Sequence, residues 1–258
     1  MKVVILAGGL GTRLSEETTL KPKPMVELGD EPILWHIMKA YYSYGFYEFI
    51  ICAGYKQSII KDYFASYVNN HSSIEVSIKE NRVKIIDPPL EDWIVKVVDT
   101  GLNTMTGGRI KRIERFVNYG DSFFLTYGDG LSNIDLKDLL SFHNKHRPII
   151  TVTAVQPPGR FGALKLGGNG VVSEFLEKPK GDNNWVNAGY YVVDRSIFDF
   201  IAGDDTIFER EPLETIARNR AMRAYLHHGF WRSMDTMTDK RQLEELWKTE
   251  RAPWKIWR

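Results

Sequence analysis

The 258-residue chain has one cysteine, Cys52, so no internal disulfide can form. A lone cysteine at the end of an apolar run is expected to be a buried small hydrophobe in a reducing compartment. The six histidines form no H-E-x-x-H or Cys/His ligand pattern, which excludes the common zinc sites, and His227-His228 is expected to be structural or solvent-facing. Charge excess is missing too: 34 Lys and Arg face 33 Asp and Glu. No global field therefore drives binding to nucleic acid or a membrane surface, neither partner is expected, and any polyanion site must be local. No apolar run approaches the roughly 20 residues of a membrane span. Val3 to Ala7 is too short for a signal-peptide core and runs straight into glycines, so the cytoplasm is the expected location. Internal repeats, low-complexity segments and linkers are also lacking, and one domain over 1–258 is expected.

What is present is an alternation of buried strands and amphipathic helices. Val3-Val4-Ile5-Leu6 reads as a fully buried strand. Ile33 to Tyr44, with Ile33, Leu34, Ile37, Met38 and Tyr41 on one face, reads as the helix packed on it, and Glu48 to Cys52 as the next strand. A helix near Gln57 to Val68 follows, then strands around Ile74 to Ile78 and Val95 to Asp99, and a helix from Arg109 to Phe116. Strands Phe123 to Tyr127 and Ile149 to Val155 flank a helix from Leu136 to Lys145. Near-continuous apolar strands in this order predict an α/β fold with a mostly parallel sheet covered on both faces. Ala163 to Leu166, Val171 to Leu176 and Trp185 to Val193 read as more antiparallel, because "GGNG" at 167–170 is a hairpin signal. Helices near Ser196 to Ile201, Glu211 to Arg218 and Lys240 to Lys248 close the chain. Glu80 to Asp92, with Pro88-Pro89, reads as a long irregular loop.

The chemistry concentrates in "AGGLGTRLSEETTLKPKPM", residues 7 to 25. Gly8, Gly9 and Gly11 after a strand let backbone amides approach phosphate oxygens, though three glycines alone also fit a bare turn. The dinucleotide fingerprint fails, because Leu14 stands where its third glycine belongs, and no Gly-Lys-Ser/Thr offers a P-loop. Arg13 supplies a planar fork for phosphate, and Lys21 and Lys23 each precede proline, which biases both toward extended backbone. In a β-like segment both ammonium groups face one side; a polyproline twist leaves one inside and one in solvent.

"LAGGLGTRLSEETTLKPKPM" resembles the N-terminal signature of the sugar-1-phosphate nucleotidylyltransferase family, G-G-x-G-T-R-L followed by K-P-M. Its compact spacing is similar to the glucose-1-phosphate cytidylyltransferase branch. The resemblance continues through "ENR", "VDTG", "MTGGRIKR", "TYGDG", "PPGRFGAL", "EKPKGD", "NAGYYV", "GFWRSMDTMTDK" and "APWKIW", covering essentially the whole chain. It implies a Rossmann-like nucleotide-diphospho-sugar transferase fold, with residues 1–155 or so serving the nucleotide and about 156–258 the sugar and oligomer contacts. The implied reaction joins CTP to α-D-glucose 1-phosphate with Mg²⁺, giving CDP-glucose and pyrophosphate for surface polysaccharide (O-antigen) synthesis, in a homo-oligomer such as a hexamer.

Residue by residue, the resemblance implies that Leu6, Gly8, Gly9, Gly11, Thr12, Arg13, Lys23, Thr100, Gly101, Arg109 and Gly128 contact the nucleotide. Arg13, Lys23 and Arg109 are the implied catalytic cations, and Gly107-Gly108 is expected to open a helix N-terminus to an anion. Asp129, at a strand's carboxyl end between glycines, and Asp235 are the implied metal ligands; hard oxygens suit Mg²⁺. Gly162, Glu177, Lys178 and Asn187 are implied to hold the sugar phosphate, while Arg160 either neutralises phosphate or is a surface charge. The "WKIW" tail, with Trp254 and Trp257, is expected either at a subunit interface or on the chain's own core. Two other readings stay open: a relative using UTP, dTTP or another sugar phosphate, and a non-catalytic binding protein, which would be expected to lack Arg13, Lys23, Asp129 or Asp235.

Overall fold

A computed structural model of the chain describes residues 1–118, 120–157, 163–166, 171–176 and 184–257. In chain order the first elements are β1 Lys2–Ala7, α1 Ser15–Thr18, β2 Glu27–Leu28, β3 Glu31–Pro32, α2 Ile33–Ser43, β4 Glu48–Ala53 and α3 Gln57–Asn70. Next come β5 Ser73–Ser77, β6 Arg82–Asp87, β7 Ile94–Asp99, α4 Thr106–Arg112, β8 Ser122–Tyr127, β9 Gly130–Ser132 and α5 Leu136–His146. The remainder are β10 Ile150–Val155, β11 Ala163–Leu166, β12 Val172–Leu176, β13 Val186–Asp194, α6 Glu211–Arg218, β14 Met222–His227, β15 Trp231–Ser233 and α7 Met237–Lys248.

The centre is a seven-stranded sheet in the order β14-β10-β13-β8-β1-β4-β7. Only β13 runs antiparallel to its neighbours, as a mixed but mostly parallel sheet requires. Val3, Val4 and Ile5 are fully buried because successive side chains of a covered strand enter opposite cores. Val3 and Ile5 join the core roofed by α2, α5 and α7, whereas Val4 and Leu6 join the one containing Ile110 of α4 and Ile216 of α6. Strands from beyond residue 155 share this sheet with β1, so one sheet unites the chain.

Several elements differ from expectation. Glu80 to Asp92 contains β6, which pairs antiparallel with β5 in a separate hairpin. Most of its side chains are exposed, so no buried face imposed the alternation that sequence reading needs. The helix expected at Arg109 starts three residues earlier and gives way to a 3-10 turn at Glu114–Phe116. Strand β14, parallel to β10 at the sheet edge, was not anticipated. Helix α7 starts at Met237, fixed by a capping box in which Thr236 and Asp239 bond reciprocally. β11 and β12 pair antiparallel as expected, while the GGNG segment between them lies outside the described residues. Cys52 is fully buried, and burial pushes its thiol up to about 12.

Candidate active site

The carboxyl ends of β1 and β8 open onto a cleft of about 410 Å³. Ligands bind at such strand ends in open α/β sheets, because loops there diverge around a crevice. Leu6, Gly8, Gly9, Gly11, Thr12, Arg13, Lys23, Arg109, Gly128 and Asp129 line it, as do Thr104, Met105, Thr106 and Tyr127. A second hollow of about 260 Å³ adjoins it, sharing Arg13, Tyr127 and Asp129 and including Asn187, Tyr190, Trp231 and Asp235.

The glycines of the signature loop divide the work. Gly11 takes a left-handed φ of 66°, and a Cβ there would press on Thr18 and Lys23. A Cβ on Gly8 would lie 2.1 Å from the Arg109 guanidinium, so Gly8 makes room for that cation. Gly9 faces open space.

Pro22 sits at φ −68° and ψ 148°, a polyproline conformation that separates the two lysines. Lys21 turns outward to Glu27 at 2.7 Å, while Lys23 is buried in the cleft. The Lys23 ammonium lies 2.6 Å from an Asp129 oxygen and 2.6 Å from an Asp235 oxygen. More than a hundred residues separate the two aspartates, and strand pairing joins them. β15 pairs with β9 so that Ser233 faces Gly130, and the Met234 amide donates to the Asp129 carbonyl at 2.8 Å. Arg13 reaches the same Asp235 carboxylate at 3.0 Å, and the Ser233 hydroxyl donates to its other oxygen at 3.0 Å. Burial, the largest single influence on Asp235, opposes its charge. Together the Lys23 and Ser233 bonds and the two cations outweigh it, holding the carboxyl below its usual range.

Arg109 is a buried cation held by neutral acceptors. Its guanidinium donates to the Thr100 hydroxyl at 2.8 Å, the Gly101 carbonyl at 2.7 Å and the Leu102 carbonyl at 3.2 Å. Burial pulls its pKa below the ordinary arginine value. Thr100 and Gly101 therefore stand behind Arg109 and do not line the cleft; Thr100 is fully buried and also donates to the Ala53 carbonyl. Nor are the Gly107 and Gly108 amides at the α4 N-terminus free. Gly107 and Gly108 donate to the Thr206 carbonyl, and Met105 to that of Asp204. The expected anion site at that helix end is corrected accordingly: what α4 presents is the Arg109 side chain.

Asn187 lines the second hollow; its side-chain oxygen accepts the Gly189 amide at 2.8 Å and its amide donates to the Tyr191 hydroxyl. Gly162, Glu177, Lys178 and Arg160 lie outside the described residues. Sequence reading missed Tyr127, Tyr190 and Trp231. The two tyrosines sit inside apolar strands that read as core, and only the β9–β15 pairing brings Trp231 to the hollow. Tyr127 donates to the Glu209 carboxylate, which also accepts from Thr106 at 2.6 Å, while Trp231 donates to the Ala188 carbonyl at 2.7 Å. His227 is half-buried and bonded to the Phe230 carbonyl, away from the cleft, as expected of a structural histidine.

Two carboxylates and three cations gather at the strand ends beside a glycine loop. A family model described as nucleotidyl transferase matches residues 2–236. The chain belongs to the nucleotidyl transferase family. This nucleotidyl transferase is 51% identical, over the full length of both chains, to the glucose-1-phosphate cytidylyltransferase of Salmonella typhimurium. It is 39% identical, again over both full lengths, to the probable glucose-1-phosphate cytidylyltransferase of Bacillus subtilis. Among solved structures, HddC from Yersinia pseudotuberculosis superposes with a TM-score of 0.68 at 24% identity, covering 95% of this nucleotidyl transferase and 99% of that chain. A UDP-glucose pyrophosphorylase complexed with UDP-glucose gives 0.69 at 18% identity, over 97% and 99%. At those identities the structures establish the fold, which is the expected single α/β domain of the nucleotide-diphospho-sugar transferase type.

Proposed function

We propose that this nucleotidyl transferase transfers CMP from CTP to α-D-glucose 1-phosphate, releasing CDP-glucose and pyrophosphate. An oxygen of the sugar phosphate attacks the α-phosphorus of CTP in line. The new P–O bond forms as the bond to the β-phosphate bridge oxygen breaks, and pyrophosphate leaves with the electron pair. The nucleophile is already an anion, so no Ser, Cys or His need activate it, and catalysis is positioning plus charge stabilisation. The barrier is repulsion: at 4 Å and an effective dielectric of about 20, each pair of unit charges costs roughly 4 kcal/mol. Arg13, Lys23 and Arg109 supply the opposing charge. Arg13 borders both hollows, which suits a residue that meets the two substrates where they join.

The observation that carries this reading is the convergence of Lys23, Arg13, Asp129 and Asp235 where the two hollows meet. Asp129 and Asp235 fit a divalent metal. They are hard oxygen donors that both reach one cation, the Lys23 ammonium. Mg²⁺ prefers one or two carboxylates with phosphate oxygens and waters. Bound there, it would neutralise phosphate charge; the side chains around it bind and orient the substrates. In this assignment the larger cleft takes CTP and the smaller takes the sugar, near Asn187, Tyr190 and Trp231.

Self-association is part of the proposal. Val76, Ile78, Val83 and Ile86 of the β5–β6 hairpin are exposed, with Ile78 at 85% and nearby Leu90 at 90%, an unusual apolar surface for a chain that stays alone. No helix among the described residues is long and apolar enough to cross a membrane, and a cytoplasmic location fits the reaction's substrates. Incubating the protein with Mg²⁺, CTP and glucose 1-phosphate and resolving nucleotides by chromatography tests the reaction. A CDP-glucose peak with matching pyrophosphate is expected; unchanged CTP under these conditions would overturn the assignment.

A further inference from the structure

Arg13 and Glu17 stand one helical turn apart along the signature loop, and the start of α7 faces both. Arg13 meets Asp235 at 3.0 Å, just before the α7 cap, and Glu17 meets Lys240, in the α7 first turns, at 2.5 Å. The Glu17–Lys240 pair is the better shielded of the two, with side chains 23% and 15% exposed, whereas Arg13 is 72% exposed. Neither Glu17 nor Lys240 lines either hollow. Lys240 is also held at 3.7 Å from Glu244 on its own helix, and the Thr236–Asp239 capping box fixes the start of that helix. The rigid side of the contact is therefore α7, and the element it restrains is the loop.

We propose that Glu17 and Lys240 are positioning residues, a paired charge that docks the signature loop on α7 so that Arg13 and Asp235 face each other across the reacting phosphates. The other end of the loop is already tied: the Tyr55 hydroxyl donates to the Thr18 carbonyl at 3.0 Å, and Lys56 donates to the Leu20 carbonyl at 3.1 Å. On the Arg13 side the Gly8 carbonyl accepts the Tyr55 amide at 3.1 Å and Leu14 is buried in the core, so what ties residues 11–18 to the α7 end of the chain, among the ion pairs recorded for the described residues, is Glu17–Lys240 and Arg13–Asp235. Without the Glu17–Lys240 pair, Arg13, mostly in solvent, keeps only its own contact with Asp235 on that side. Of the loop residues that line the larger cleft, Gly8, Gly9, Gly11 and Thr12 do not line the smaller hollow and Arg13 lines both, so the pair governs CTP more than glucose 1-phosphate. This inference rests on the proposed CTP reaction.

The test compares Glu17→Gln, Lys240→Met, the conservative Lys240→Arg and the exchanged double variant Glu17→Lys/Lys240→Glu. Each is followed by kcat and KM for both substrates, by CTP affinity in calorimetry and by melting temperature. Either neutral variant is expected to lose roughly 10- to 100-fold in kcat/KM for CTP, the scale for misplacing a catalytic group by about an ångström. The KM for glucose 1-phosphate should change much less than that for CTP, the melting temperature should hold, Lys240→Arg should stay near wild type, and the exchanged pair should regain most of the loss. Unchanged CTP kinetics in both neutral variants, or an equal loss in the exchanged variant, would overturn the proposal. A wild-type protein inert toward CTP would instead overturn the reaction, and is seen in the same experiment before any variant is made.

Discussion

At the scale of single residues, the Lys23 ammonium is shared between Asp129 and Asp235 at 2.6 Å each, so a change at any of the three alters the charge presented to substrate. Lys23→Ala and Asp129→Asn are each expected to lower turnover by roughly 10²- to 10³-fold, the scale for removing one preorganised charge contact. Circular dichroism should show both still folded. Wild-type rates in either variant would reject that residue's assignment. The residues singled out by the resemblance lie near one another: the signature loop, Arg109 and Asp129 line the main cleft, and Asp235 joins Asp129 through Lys23. The resemblance implies Lys23 and not Lys21, a choice the string Lys-Pro-Lys-Pro alone leaves open; the polyproline angle at Pro22 gives the physical reason that Lys23 enters the cleft and Lys21 turns outward. Thr100 was misjudged because position in a motif does not say which way a side chain points; it turns inward to hold Arg109.

At the scale of elements, α7 and the tail after it form a clamp around α2. Trp254 is fully buried, and His36 packs edge-on to Trp247, whose ring also blocks any side chain at Gly29. The tail thus docks on the chain's own core, which settles for Trp254 the choice that sequence left open; a tryptophan-rich ending signals burial but not against what. His36 itself is fully buried, with a ring nitrogen 2.9 Å from the Leu28 carbonyl. Burial lowers its pKa to about 4, against the smaller raising effect of backbone bonds. The unfolded chain takes up this proton below about pH 6.5 and the native one only near 4, so stability is full above that upper value and falls through this window. The loss approaches about 3 kcal/mol from His36, and buried His143 and half-buried His227 act in the same direction. Urea unfolding at about pH 7 and about pH 4.5 should show this fall, and His36→Gln should remove much of it. Equal stability at the two values in wild type would contradict the buried neutral imidazole. In the exposed β5–β6 hairpin, β5 was expected near Ile74 to Ile78 but β6 was not, since alternation marks a strand only where one face is covered.

For the molecule as a whole, the mixed sheet was readable from its apolar strands, while the meeting of Asp129 with Asp235 depends on β9 pairing β15 across a hundred residues of chain. Three-residue strands carry too little pattern to announce such a partner. The hairpin's apolar surface predicts an assembly larger than a monomer by light scattering, and Ile78→Glu with Val83→Glu should shift it toward smaller species. A monomeric wild-type mass would remove the self-association reading. The central claim is a charge-built site that joins a nucleoside triphosphate to a sugar phosphate and selects cytosine. Its most direct test is the rate of pyrophosphate release with Mg²⁺ and glucose 1-phosphate, measured in parallel with CTP, UTP, dTTP and ATP. Strong preference for CTP is the predicted result; equal or faster turnover of another nucleotide would contradict the substrate assignment, and no release with any of the four would contradict the reaction itself.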